Sequence, residues 1–196
     1  MLNLYDITNK FEYRHGDIFK QNDLDYIAHQ CNYFHCMGGG VAYMIAKKYP
    51  QAVIADKNTS FGKKDKLGTI SIVNTNSLIK IINMYSQFKP GCFIDKNDYN
   101  ERLIAIKKCL NQIKDFFSRI DKEIYIGFPY LIGCGISGLN EEDVINIFNE
   151  VFESNKESNI KIIFVDFNNT FYVYKQMKFD WNEERNDEQI KENSNF

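Results

Sequence analysis

The sequence predicts an α/β sandwich built on a mixed β-sheet, and three observations carry that prediction. Short runs rich in β-branched and aromatic residues alternate along the chain with stretches whose apolar residues recur every three or four positions. Two of the β-rich runs, GTISIVNT and LIKIINMYSQ, are separated only by Asn76 and Ser77, a hairpin signature. Twice a strand-like run leads through a glycine-rich turn into a helix, at MGGGVA and at GCGISG.

The elements follow in order. FEYRHGDI (11–18) and LDYIAHQC (24–31) read as short strands, set off by the Gly16-Asp17 turn and the polar Gln21, Asn22 and Asp23. The glycine turn then opens a helix in which Val41, Met44, Ile45 and Tyr49 form one apolar face, and Pro50 ends or bends it. After a loop carrying Lys57, Lys63, Lys64 and Lys66 come the two hairpin strands. In DYNERLIAIKKCLNQIKDFF the residues Leu103, Ile106, Leu110, Ile113 and Phe117 predict an amphipathic helix. EIYIGFPY is a buried strand running into the second glycine loop. LNEEDVINIFNEVFE is a helix with Asn140 as N-cap and acids in its first turn, and NIKIIFVDF closes the sheet.

A chain of 196 residues with 44% hydrophobic and 15% aromatic residues can bury one core, and residues 1–175 are assigned to a single domain. Residues 176–196 turn acidic and polar and read as a tail. A formal charge of -2 gives no reason to expect nucleic acid as the main partner. No apolar run approaches the ~20 residues that span a bilayer, and the N-terminus lacks the layout of a secretion signal, so a cytoplasmic protein without a membrane partner is expected. Five scattered cysteines, Cys31, Cys36, Cys92, Cys109 and Cys134, fit reduced thiols.

His29, Cys31, His35 and Cys36 lie within eight residues, yet no second ligand pair exists and His15 is the only other histidine, so the spacing argues against zinc. Around Cys31 and Cys36 the sequence offers no nucleophile–base pair, and both read as packing residues. Gly38, Gly39 and Gly40 are more informative. Glycines directly before a helix let a ligand approach exposed N–H groups, which makes an anion site. The second loop, Gly133, Cys134, Gly135, Ile136, Ser137 and Gly138, has the same context, and two such loops at neighbouring strand ends can grip a diphosphate from both sides. Neither matches GxGxxG with its ribose acid or the phosphate loop of ATPases.

With Gly16-Asp17-Ile18-Phe19, IAHQCN followed by MGGGVA, and FPYLIGCGISG in this order, the chain from about residue 12 to 167 resembles the macrodomain family. The second segment is most similar to the yeast-type ADP-ribose-1″-phosphate phosphatases and to small bacterial and phage macrodomains. The resemblance implies a three-layer α/β/α sandwich with a central mixed sheet. It implies that Asp17 bonds the adenine amino group and the N–H of Ile18 seats the base. Asn32 would bond the distal ribose, Gly38, Gly39, Gly40 and Val41 would surround that ribose and a phosphate, and the loop 133–138 would wrap the diphosphate. Phe167 is the candidate to stack on adenine. His29 agrees with the phosphatases, where the equivalent histidine is implicated in catalysis.

Two departures stand out. The branch that removes ADP-ribose from glutamate or DNA bases carries a lysine where this chain has Gln87, and its glutamate-specific enzymes carry an acid where Ser137 stands. The expected activity is therefore hydrolysis of ADP-ribose-1″-phosphate with no cofactor and no metal. The alternative is a non-catalytic module for ADP-ribose or an ADP-ribosylated protein partner. Hydrolysis of ADP-ribosyl or O-acetyl-ADP-ribose substrates is less supported.

Overall fold

A computed structural model describes residues 11–152 and 159–168. The expected tail, 176–196, lies outside the described residues. Among the described residues six strands form one sheet in the order β1-β6-β5-β2-β4-β3: β1 (Glu12–His15), β2 (Tyr26–Asn32), β3 (Ile70–Val73), β4 (Lys80–Gln87), β5 (Ile124–Pro129) and β6 (Ile160–Asp166). All neighbours run parallel except β3, which pairs antiparallel with β4, so the sheet is mixed. The helices are α1 (Gly40–Lys48), α2 (Pro50–Lys57), α3 (Lys96–Phe117) and α4 (Glu141–Phe152).

Alternation along each strand divides the core into two layers. On one face α3 and α4 bring Ile106, Leu110, Ile113, Phe117, Val144 and Phe148 against Ala28, Met84, Ile126 and Phe164 of the sheet. On the other, Ile45, Tyr49 and Ala52 of α1 and α2 cover Ile27, Ile81, Ile163 and Val165. The result is the three-layer α/β/α sandwich. Ile106, Leu110, Ile113 and Phe117 are all 0% exposed, and burying each contributes roughly 1.5–3 kcal/mol as an upper estimate.

Helix ends follow from local chemistry. The Asp95 side chain accepts from the Asp98 N–H to cap α3, and Asn140 Oδ1 accepts from the N–H groups of Glu142 and Asp143 to cap α4. Between α1 and α2 the chain breaks at Tyr49, because Pro50 starts a new helix rather than continuing the old one.

Four expectations need correction. The first strand stops at His15, since Asp17 Oδ1 accepts from the Phe19 N–H and starts a 3-10 turn over Ile18–Lys20. Met44 is 50% exposed, and the buried face of α1 runs through Ile45 and Tyr49 instead. The hairpin connection spans residues 74–79, held by Thr75 Oγ1, which donates to the Ile79 carbonyl and accepts from the Ser77 N–H. β6 lies inside the sheet between β1 and β5, because a parallel crossover from α4 seats it there.

One of the four loop lysines is buried. Lys66 is 3% exposed, its Nζ 2.7 Å from Asp56 Oδ1 on α2 and 4.1 Å from the centre of the Tyr85 ring. Among the described residues no helix is long and apolar enough to cross a membrane.

Candidate functional site

Because β1, β6, β5, β2 and β4 are parallel, their C-terminal ends meet along one edge of the sheet, where ligands of open α/β folds bind. A cavity of about 650 Å³ lies there, running from Asn168 beyond β6, past both glycine loops, to Gln87 at the end of β4 and Gly91 beyond it. Three strand spacings of about 4.8 Å make that span roughly 14 Å.

The wall after β2 is shaped by Asn32. Its Oδ1 accepts from the N–H groups of Phe34 (3.0 Å) and Cys36 (3.3 Å), and its Nδ2 donates to the Cys36 carbonyl at 2.6 Å. The fully buried Tyr33 anchors the same loop, with its ring 4.5 Å from that of Phe88. His35 within it adopts φ 54, an uncommon conformation outside glycine. The loop delivers Gly38, Gly39 and Gly40 to the start of α1, where Gly39 is the N-cap and no side chain caps the helix. The first-turn N–H groups, of Gly40, Val41 and Ala42, have no partner inside the helix. They border the cavity and bring the positive end of the helix dipole to it.

The opposite wall follows β5. Its turns use the N–H groups of Ile132, Cys134, Gly138 and Leu139, bonded to the carbonyls of Pro129, Leu131, Gly135 and Gly133. The N–H groups of Gly133, Gly135, Ile136 and Ser137 stand outside those bonds. Leu131 adopts φ 63, and Gly133 and Gly138, at φ 81 and 78, take conformations that favour glycine. A Cβ placed on Gly39 would sit 3.2 Å from Ile136 Cδ1, so the two loops meet across the cavity. Below them Gln30 Nε2 is buried without a hydrogen-bond partner, 3.4 Å from where a Gly133 Cβ would stand.

His29 lies beneath this cavity at 1% exposure. Its Nε2 is 2.7 Å from Asn83 Oδ1, and Asn83 Nδ2 donates to the Ala52 carbonyl and to Ser71 Oγ. With the Asn83 amide so oriented, Nε2 carries the proton. Burial, opposed by the Asn83 bond and the charge of Asp56, pushes the imidazole down to about 4. The ring is therefore neutral at physiological pH. Burial also pushes the Cys31 thiol well above its ordinary value, and burial with Glu141 and Asp143 pushes Cys134 up to about 12. Neither is a thiolate near neutrality. Among the described residues no group of three or more His, Cys, Asp or Glu side chains is placed to hold a metal ion.

Of the residues singled out in the sequence, His29, Asn32, Gly38, Gly39, Gly40, Val41, Gly133, Cys134, Gly135, Ile136 and Ser137 line the cavity. Asp17, Ile18, Gly138 and Phe167 do not. Asp17 follows β1 and caps the 3-10 turn, Ile18 is buried against the α1–α2 face, and Phe167 is 72% exposed just past β6. The sequence offered no signal for Gln30, Pro90 or Asn168, which also line it. Arg102 had one: it sits four residues after Asp98 on the stripe that α3 buries.

No family profile matches the chain. A 17.5 kDa protein from the tk-vs intergenic region of Enterobacteria phage T4 is 33% identical over 146 residues, covering 71% of this chain and 84% of that protein. The chain belongs to the family of that phage protein. Among solved structures, a macrodomain protein from Streptomyces coelicolor superposes with TM-score 0.57 at 20% identity, over 80% of this chain and 98% of that one. The Trypanosoma brucei macrodomain in complex with ADP-ribose gives 0.61 at 16% identity, over 85% and 68%. The fold is thus the macrodomain fold, and the cavity occupies the C-terminal edge of its sheet.

Proposed function

We propose that the cavity binds ADP-ribose or a derivative of it. The observation that carries this reading is the pair of glycine loops meeting across one cavity, each offering N–H groups not used in its own turns. Opposed backbone donors suit a diphosphate, and a neutral pocket floor asks for no counter-charge. Support also comes from the Trypanosoma brucei macrodomain, which shares the fold and was solved with ADP-ribose.

In this reading the loop 133–138 and the start of α1 hold the diphosphate and distal phosphate. Asn32 keeps one Nδ2 proton for the distal ribose after its loop bonds are made. Gln30 Nε2 supplies a further donor from below. The adenine would lie toward β1 and β6, and Asp17 and Phe167, which follow those two strands, are the residues proposed to meet it. Calorimetric titration with ADP-ribose tests the reading: saturable binding is expected, and absence of binding refutes it.

A second reading, hydrolysis of the phosphate of ADP-ribose-1″-phosphate, is favoured by His29 lying under the same loops. The backbone N–H groups would stabilise charge on the transferred phosphoryl group, and a neutral His29 would orient water rather than hold a charge. Phosphate release by the wild type, lost in His29→Ala, is expected. Tight ADP-ribose binding with no release leaves the binding module as the function.

A further inference from the structure

Arg102 is 1% exposed on α3, and all five of its N–H donors are engaged. Nε and one Nη2 proton go to the two oxygens of Asp98, each at 3.0 Å, so the charge is balanced inside the protein. The other Nη2 proton goes to the Cys92 carbonyl at 3.3 Å. Nη1 reaches the Gly91 carbonyl at 2.8 Å, Ser137 Oγ at 2.7 Å and the Ser137 carbonyl at 3.3 Å. Gly91 and Cys92 belong to the segment after β4, and Ser137 to the loop after β5. One guanidinium therefore ties together the two segments that border the β4 end of the cavity. The Gly91 carbonyl also accepts from Gln87 Nε2 at 2.7 Å. Gln87 and Ser137, the two positions where the sequence departs from the hydrolase pattern, are thus joined through Gly91 and Arg102.

We propose that Arg102 is a positioning residue and a determinant of selectivity for the distal half of the ligand. Its planar fork sets the separation of the two loops, which a lysine with its single charged point cannot reproduce. By donating to Ser137 Oγ it occupies a lone pair of that hydroxyl and leaves the hydroxyl proton to donate toward the cavity. The neighbouring charge strengthens that donor. The ligand part affected is the distal ribose and its phosphate, since the adenine end lies at β1 and β6, across the sheet. The proposal rests on the ADP-ribose reading.

The test is calorimetry with ADP-ribose and with AMP on the wild type, Arg102→Lys, Ser137→Ala and the double variant. Arg102→Lys is expected to weaken ADP-ribose about tenfold, the scale of one lost charge-assisted bond, while AMP changes less than about twofold. The double variant is expected to be no weaker than Arg102→Lys by more than about twofold, because Ser137→Ala removes only the hydroxyl end of a link that Arg102→Lys already breaks. Equal losses for ADP-ribose and AMP overturn the proposal by making Arg102 a fold residue alone, and multiplying losses overturn it by making the two residues independent. Unchanged ADP-ribose affinity in Arg102→Lys overturns it while leaving the proposed function intact. A wild type that binds neither ligand refutes the proposed function itself. Should Arg102→Lys not fold, the paired Arg102→Met and Asp98→Leu replacement removes both buried charges together. The same loss of preference for ADP-ribose over AMP is then expected, and an unchanged preference overturns the proposal.

Discussion

Replacing Gly135 with glutamate separates binding from folding more sharply than any other change at the cavity. Gly135 lines the cavity, has no unusual backbone angle, and a Cβ there would meet nothing within 4 Å. The fold should therefore tolerate the substitution, with a melting temperature within a few degrees of wild type. Binding should not. At roughly 6 Å, with an effective dielectric between about 20 near a protein surface and about 80 in water, the new carboxylate opposes each phosphate charge by about 0.7–2.8 kcal/mol, so a diphosphate loses at least about 1.4 kcal/mol, roughly tenfold or more in affinity. Gly135→Gln is the control, carrying the same bulk without charge. The difference between the two variants should shrink as salt rises, because the screening length falls from about 10 Å at 0.1 M to about 3 Å at 1 M. Titrating both variants with ADP-ribose at two salt concentrations, beside thermal melts, measures each part. A folded Gly135→Glu protein with wild-type affinity would falsify the assignment of this loop to the diphosphate.

Asn32→Ala is expected to weaken ADP-ribose by about 1–3 kcal/mol, because it removes a ligand donor and releases the bonds that shape the loop to Cys36; calorimetry with unchanged affinity would relocate the distal ribose. Asp17→Ala should weaken adenosine and ADP-ribose alike while leaving ribose 5-phosphate little affected, and equal losses for all three would make Asp17 a turn residue alone. His29 should make the protein acid-sensitive. Its ring stays neutral in the fold down to about 4, whereas the unfolded chain takes up the proton near 6.5. Stability is thus whole above pH 6.5 and falls through the window from there to pH 4, by about 3 kcal/mol in total. Denaturant melts should show that slope in the wild type and a shallower one in His29→Gln; identical slopes would refute the assignment.

Much of this architecture was legible in the residues. The periodicity of Ile106, Leu110, Ile113 and Phe117 gave the buried stripe of α3 because a helix with that spacing has only one way to meet a sheet. Asn140 and Pro50 marked helix starts by local chemistry alone. The glycine loops were visible as composition and suggested a grip from both sides; the pairing of β5 with β2 that makes their strand ends neighbours was not visible. Met44 misled because helix spacing admits two neighbouring faces, and packing against β2 chose the one through Ile45. Arg102 follows Asp98 by four residues on the buried stripe of α3, which is legible as an ion pair; its other partners, Ser137 and the carbonyls of Gly91 and Cys92, come from loops that helix periodicity does not reveal. His29 looked like a titrating imidazole; burial makes it a neutral one, against the pull of its bond to the Asn83 amide.

His35 and Leu131, at φ 54 and 63, stand near the start of the two walls. For residues with a Cβ such angles cost on the order of 1 kcal/mol each, and the surrounding sheet and helices hold them in place. Each wall is in that sense a bent spring clamped at its base. As heat loosens the clamp, the walls should relax before the sheet melts, because local openings need less free energy than global unfolding. The protein would then go blind to its ligand while still folded, and the temperature at which recognition fails, rather than the melting point, would set its working range.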